Sequence, residues 1–307
     1  MDRGKGREDQ GTETLTKLSI PHQRTCRCPS SHLNCMTAKD WIRSQIGIWQ
    51  VYYEKRDIRD KAVHPAVMPI ALAKRAVELF THTGELVLDP FNGIGTTLLA
   101  AQDLERNALG FDINRKYCEI SKNRLAQARL SGSSTQITVC DDARNILSYL
   151  DNETVKLIFT SPPYANLLNR RRLNKSRRGD LRENDQYLRV EQYSQDHRDL
   201  GTMQIEKYSD EMRAIYERLF SLVVPGGHNV INVPDMWWSE GKYGKRIPIH
   251  IYIYRAMLDA GFELRNTMIW DRTNIVNRVG IFGWPSNYIT MGTTFEYLLD
   301  FWRPPKK

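Results

Sequence analysis

Along the first half of the chain, apolar positions change period in a regular way. Ile70, Ala73, Val77 and Phe80 recur at helical spacing, with Pro65 and Pro69 near the start and Gly84 placed to close the turn. Short apolar runs at residues 85–89, 108–112, 136–140 and 155–160 then alternate with helical patterns at 96–106 and 115–130. Such alternation predicts an α/β fold, a doubly wound and mostly parallel sheet. The second half predicts a helix over about 208–223 ending at Pro225-Gly226-Gly227, a strand over 228–233, a helix over 249–260 closed by Gly261, and strands over 262–270 and 295–302.

Two stretches break the pattern. Residues 1–38 are rich in Gly, Thr, Lys and Arg without apolar periodicity, and read as a flexible tail. Residues 165 to about 206 are polar and strongly basic at first, and read as an insertion in a single domain spanning 39–307. Trp41, Trp49, Tyr52 and Tyr53 are too many large apolar groups for a free linker, so the ordered part begins near residue 39.

Composition narrows the classes. A hydrophobic fraction of 41% over 307 residues is enough for a core, and the net charge of +8 suits a polyanionic partner. Residues 1–10 lack the apolar stretch of a signal peptide, and no run approaches the roughly 20 apolar residues of a membrane span. With 5 cysteines in no disulfide framework, the expected setting is a reducing cytoplasm. Cys26, Cys28, His32 and Cys35 have the chemistry of zinc ligands, but C-x-C-x6-C is not a usual zinc spacing; the expectation is unrelated thiols and no metal.

Four segments follow predicted strands and carry candidate chemistry. Asp89-Pro90-Phe91-Asn92-Gly93-Ile94-Gly95-Thr96-Thr97 joins a strand to a helix; its glycines allow close backbone approach, and the helix N-terminus offers free N–H groups. The third glycine of the dinucleotide fingerprint is missing, which argues against NAD. Asp112, after the next strand, can accept from ribose hydroxyls or cap the following helix. Asp141-Asp142 can flank an adenine ring or cap a helix. Thr160-Ser161-Pro162-Pro163-Tyr164 presents a rigid edge of carbonyls, a hydroxyl and an aromatic ring, because the prolines lock φ and remove two donors.

Taken in order, these segments resemble the amino-methyltransferase family of DNA over roughly residues 63–304. The resemblance implies S-adenosylmethionine as cofactor, bound by Asp89, Pro90, Phe91, Gly93, Gly95 and Thr96, with Asp112 on the ribose and Asp142 on the adenine side. It implies that the element at His64-Pro65 packs beside the methionine end. It implies a catalytic Ser161-Pro162-Pro163-Tyr164: Ser161 and the following carbonyl accept the two N–H bonds of an exocyclic amino group, and Tyr164 stacks on a base flipped from the duplex. Ser161 points to cytosine N4; adenine N6 enzymes usually carry Asp or Asn there. Trp270 and Phe295-Glu296-Tyr297-Leu298-Leu299 resemble the closing strands. In this chain the cofactor segment precedes the catalytic one, whereas many cytosine-N4 enzymes have the reverse order.

Double-stranded DNA is the implied partner, with a cognate restriction endonuclease and a place at the nucleoid as further implications. Arg170, Arg171, Arg172, Lys175, Arg177, Arg178 and Arg182 directly follow the catalytic segment and suit phosphate contact. Carbon-5 methylation is disfavoured, because no cysteine follows a proline; Cys28-Pro29 has the opposite order. Adenine-N6 methylation on the same scaffold, RNA guanine-N2 methylation and a non-catalytic nucleic-acid-binding protein remain as alternatives.

Overall fold

The computed structural model describes residues 17–60, 67–128, 132–168, 196–238, 244–273 and 293–305. In chain order its elements are α1 (Ala38–Ser44), β1 (Ile48–Gln50), α2 (Lys55–Asp60), α3 (Ile70–Phe80), β2 (Leu86–Asp89), α4 (Thr96–Asp103), β3 (Asn107–Phe111), α5 (Arg115–Gln127), β4 (Gln136–Val139), β5 (Val155–Thr160), α6 (Ile205–Leu222), β6 (Val223–Val233), β7 (Met236–Trp238), β8 (Lys245–Ile247), α7 (Ile249–Asp259), β9 (Glu263–Asp271) and β10 (Phe295–Trp302).

Eight strands form one sheet in the order β1-β9-β10-β6-β5-β2-β3-β4. Strands β6, β5, β2, β3 and β4 are mutually parallel, and β10 is antiparallel to both β6 and β9. This is the α/β, doubly wound and mostly parallel arrangement that the alternation of apolar runs predicts. The central strands are continuous apolar runs because helices cover both of their faces. Alternate residues of β2 show it: Leu86 and Leu88 join the layer of α6 and α7, while Val87 joins that of α3 and α4. On α6 the buried positions Tyr208, Met212, Ile215, Tyr216, Leu219 and Leu222 follow a helical stripe.

The chain crosses from one half of the sheet to the other between β2 and β5. Strands β3 and β4 lie to one side of β2, and β5 and β6 to the other. Loops leaving the carboxyl ends of β2 and β5 therefore diverge and leave a crevice between them.

Three sequence expectations change. Residues 17–38 are not a free tail: Ile20 and Asn34 are buried, and Leu18 and Thr25 donate backbone bonds to Tyr149 and Thr83. Sparse anchors, not a periodic stripe, hold this segment, so it left no periodicity to read. Its three cysteines are brought against His82, at the end of α3. The aromatic stretch forms α1, capped by Thr37, and the edge strand β1, which pairs with β9 and buries Trp49. The expected insertion ends early, since α6 begins at Ile205 and Asp199, Leu200 and Met203 are already buried. Among the described residues, no helix is long and apolar enough to cross a membrane.

Candidate active site

The crevice at the crossover is an open cleft of about 980 Å³, solvent mouth included. All four candidate segments line it: Asp89 to Gly93 with Thr96 and Thr97, Asp112, Asp141 and Asp142, and Ser161 to Tyr164.

The loop after β2 is shaped by its glycines. Gly93 and Gly95 have φ of 51° and 83°, the left-handed region that costs any residue with a Cβ. Gly95 is the N-cap of α4, so the first turn of that helix opens toward the cleft. A Cβ at Gly110, on neighbouring β3, would lie 2.5 Å from Asn92 Cγ, so the strand's own glycine lets the loop lie flat against it.

Asp112 ties this loop to β3. Its Oδ2 accepts from Gly93 N at 2.8 Å and its Oδ1 from Asn114 N at 2.8 Å. Burial pushes its carboxyl up to about 7; the two N–H donors oppose the shift, and the charges of Asp199 and Asp89 add to it. Asp89 is raised to about 6, again chiefly by burial, against hydrogen bonds from Thr160, Thr97 and Phe91 N. Asp142 caps the short 3-10 helix Ala143–Ser148 through Arg144 N at 2.9 Å and pairs with Arg144 Nη1 at 2.7 Å, while Arg144 Nε reaches Glu211 at 2.6 Å. The helix-capping alternative for Asp142 thus holds alongside its place in the cleft.

The segment after β5 meets the segment after β2 through one buried bond, Thr160 Oγ1 donating to Asp89 Oδ1 at 2.6 Å. Ser161 lines the cleft with its Oγ 2.8 Å from the Tyr164 hydroxyl. The Tyr164 ring is largely buried, so it reaches the cleft as part of the wall.

The carboxylates fit a cationic ligand bearing hydroxyl groups, and the left-handed glycine turn fits close approach of a flat or charged group. That donor set matches S-adenosylmethionine, which carries a sulfonium, an amino group and a ribose diol.

His64, Pro65 and the run Arg170, Arg171, Arg172, Lys175, Arg177, Arg178 lie outside the described residues. Just after the former, Val67 and Met68 line the cleft. Sequence reasoning also missed Tyr117, Arg144, Arg198, Asp199 and Leu200 in the lining. Asp199 had the weakest signal, a lone acid in an aperiodic stretch; it caps the turn Leu200–Thr202 and is brought to the cleft only by tertiary packing.

Against this geometry the comparisons with known proteins are decisive. A family model described as DNA methylase, covering N6 and N4 amino-methyltransferases, matches residues 20–123 and 155–307. The chain belongs to this family. S-adenosylmethionine is the cofactor of the family. Type II methyltransferase M.HindIII of Haemophilus influenzae is 46% identical over 66 residues, 22% of this chain and 21% of that protein. Type II methyltransferase M.HpaI of Haemophilus parainfluenzae is 35% identical over 78 residues, 25% of each chain. The aligned stretches thus span about a fifth to a quarter of these relatives. Among solved structures, TrmN from Thermus thermophilus is similar with a TM-score of 0.46 at 16% identity, covering 77% of this chain and 49% of that one.

Proposed function

We propose that this protein methylates cytosine N4 in DNA, using S-adenosylmethionine, as the modification partner of a restriction endonuclease. The observation that carries the reading is the meeting of Ser161-Pro162-Pro163-Tyr164 with the Asp89–Thr96 loop at the crossover, joined by the Thr160–Asp89 bond. When bound, the cofactor supplies an electrophilic methyl group on a sulfonium. Asp89, Gly93, Gly95 and Thr96 hold it, Asp112 takes the ribose hydroxyls, and Asp142 lies on the adenine side. An exocyclic amino nitrogen is a poor nucleophile because its lone pair is delocalised into the ring. Ser161 Oγ and the carbonyl of Pro162 accept its two N–H bonds and hold the nitrogen pyramidal, which localises that pair. Ser161 rather than an acidic or amide residue favours cytosine over adenine. The run Arg170 to Arg178, which directly follows the catalytic segment in sequence, supplies phosphate contacts. Similarity to Type II methyltransferases supports the restriction–modification setting.

The test is mass spectrometry of nucleosides from DNA methylated by the purified protein. N4-methylcytosine is the expected product. N6-methyladenine alone would overturn the base assignment, and transfer to RNA only would overturn the DNA reading.

Asp112 gives cofactor binding a pH dependence. Its folded pKa is raised to about 7, so in the free protein the carboxyl takes up a proton as pH falls through 7. Ribose hydroxyls donate to the ionised form, so binding expels that proton. Affinity should therefore be flat above about pH 8 and weaken toward tenfold per pH unit below 7, with proton release at pH 6.5 seen by calorimetry in buffers of different ionisation enthalpy. An Asp112→Asn variant should bind more weakly and lose the slope in this range; a parent protein with the same affinity at pH 6 and 8 would refute this role for Asp112.

A further inference from the structure

From the side chains gathered at the opposite edge of the sheet, we infer that this protein holds a structural zinc ion on Cys26, Cys28, Cys35 and His82. The ligand atoms of these four residues all lie within 4.8 Å of one another. A tetrahedral site with Zn–S of about 2.3 Å and Zn–N of about 2.0–2.1 Å requires S···N edges of about 3.5 Å and S···S edges of about 3.8 Å. Cys26 Sγ and Cys35 Sγ stand 3.3 and 3.5 Å from His82 Nδ1, the edges of such a tetrahedron.

The surroundings have the form of a second coordination shell. His82 Nε2 lies 3.0 Å from the carbonyl oxygen of His32. A carbonyl only accepts, so Nε2 carries the proton and the Nδ1 lone pair faces the sulfurs, the tautomer a metal needs. His32 thus contributes its carbonyl, not its ring, and the ligand the spacing lacked comes from beyond α3. The backbone N–H of Thr83 donates to Cys35 Sγ at 3.4 Å. Three thiolates on Zn²⁺ leave one net negative charge, and the buried Arg106 sits beside it, its Nη1 on the same Thr83 hydroxyl that contacts Cys35.

The site is closed, with four protein ligands and no open position for substrate, which marks it as structural. It lies before β2, at the end of that strand remote from Asp89. It cross-links residues 26–35 to the domain where they already approach it: Thr25 N donates to Thr83 O at 2.8 Å, and a Cβ at Gly84 would lie 2.7 Å from Gln23 O. The ion fixes a segment that buries few apolar side chains.

The experiment uses the full chain, purified without chelator. Elemental mass spectrometry should find one zinc per chain. Cobalt(II) substituted for it should give the intense visible spectrum and sulfur-to-metal charge-transfer bands of a tetrahedral, thiolate-rich site. Cys35→Ser and His82→Ala should each lower retained zinc at least tenfold, while Cys140→Ser, at an exposed thiol outside the cluster, should retain it. Should those variants fail to fold, the cobalt spectrum of the parent decides alone. Parent protein without zinc and without a thiolate–cobalt spectrum would overturn the assignment. So would a disulfide between any two of the three cysteines in freshly purified protein.

Discussion

Replacing Ser161 by Ala should reduce single-turnover methylation by about 10²–10³-fold, the scale seen when one preorganised hydrogen-bonding group is removed from a developing charge. Cofactor affinity should stay within a factor of two. The reason for the split is local. The Ser161 hydroxyl contacts the Tyr164 hydroxyl at 2.8 Å, whereas the cofactor loop is held by Asp112 and by the Thr160–Asp89 bond. An interaction made mainly in the transition state lowers turnover without changing ground-state binding. Tyr164→Phe keeps the serine and removes only its partner, so its loss should be smaller, about tenfold. Stability should change by no more than about 1 kcal/mol in either variant. A Ser161→Ala protein with parental turnover would remove Ser161 from catalysis.

Gly95→Val should abolish detectable cofactor binding, a loss of at least about 100-fold, by two separate routes. Backbone at φ of 83° strains a β-branched residue by about 1–3 kcal/mol. The added Cβ would also lie 2.3 Å from Ser121 Oγ. That hydroxyl cannot withdraw, because Ser121 is fully buried and its oxygen is held by Asn92 Nδ2 at 3.1 Å and by Thr138 Oγ1 at 2.9 Å. The loop must move instead, and the loop is the cradle proposed for the cofactor. Combining Gly95→Ala with Ser121→Gly removes the clash at the loss of the Ser121 bonds to Asn92 and Thr138, and it should bind measurably better than Gly95→Ala alone. Isothermal titration with S-adenosylmethionine reads both, and parental affinity in a folded Gly95→Val protein would show that the cradle lies elsewhere.

Much of this was legible because the core strands carry their own signature. Residues 155–160 form a strand with the bounds the apolar run gave, and α3 covers the spacing from Ile70 to Phe80. The four cleft-lining segments were legible for the same reason: each directly follows such a strand. What stayed hidden depends on distant partners. β1 has 3 residues and exists through its pairing with β9, more than 200 positions away. Asp199 enters the cleft by packing. The fourth residue of the cysteine cluster, His82, is separated from Cys35 by three helices and a strand. Local spacing cannot report a contact that closes over such a loop.

The far end of β5 adds a last point. Just before it, the turn at residues 151–153 receives two segments far apart in the chain: Lys17 pairs with Asp151 at 2.9 Å, and Arg303 with Glu153 at 2.8 Å. The two clasps differ in kind: Arg303 is buried and also donates to the carbonyls of Phe220, Ser221 and Val223, whereas the Lys17–Asp151 pair is exposed and contributes little. Raised salt should screen the exposed contact and leave the buried one, so the segment at Lys17 should loosen from this turn before the segment at Arg303 does.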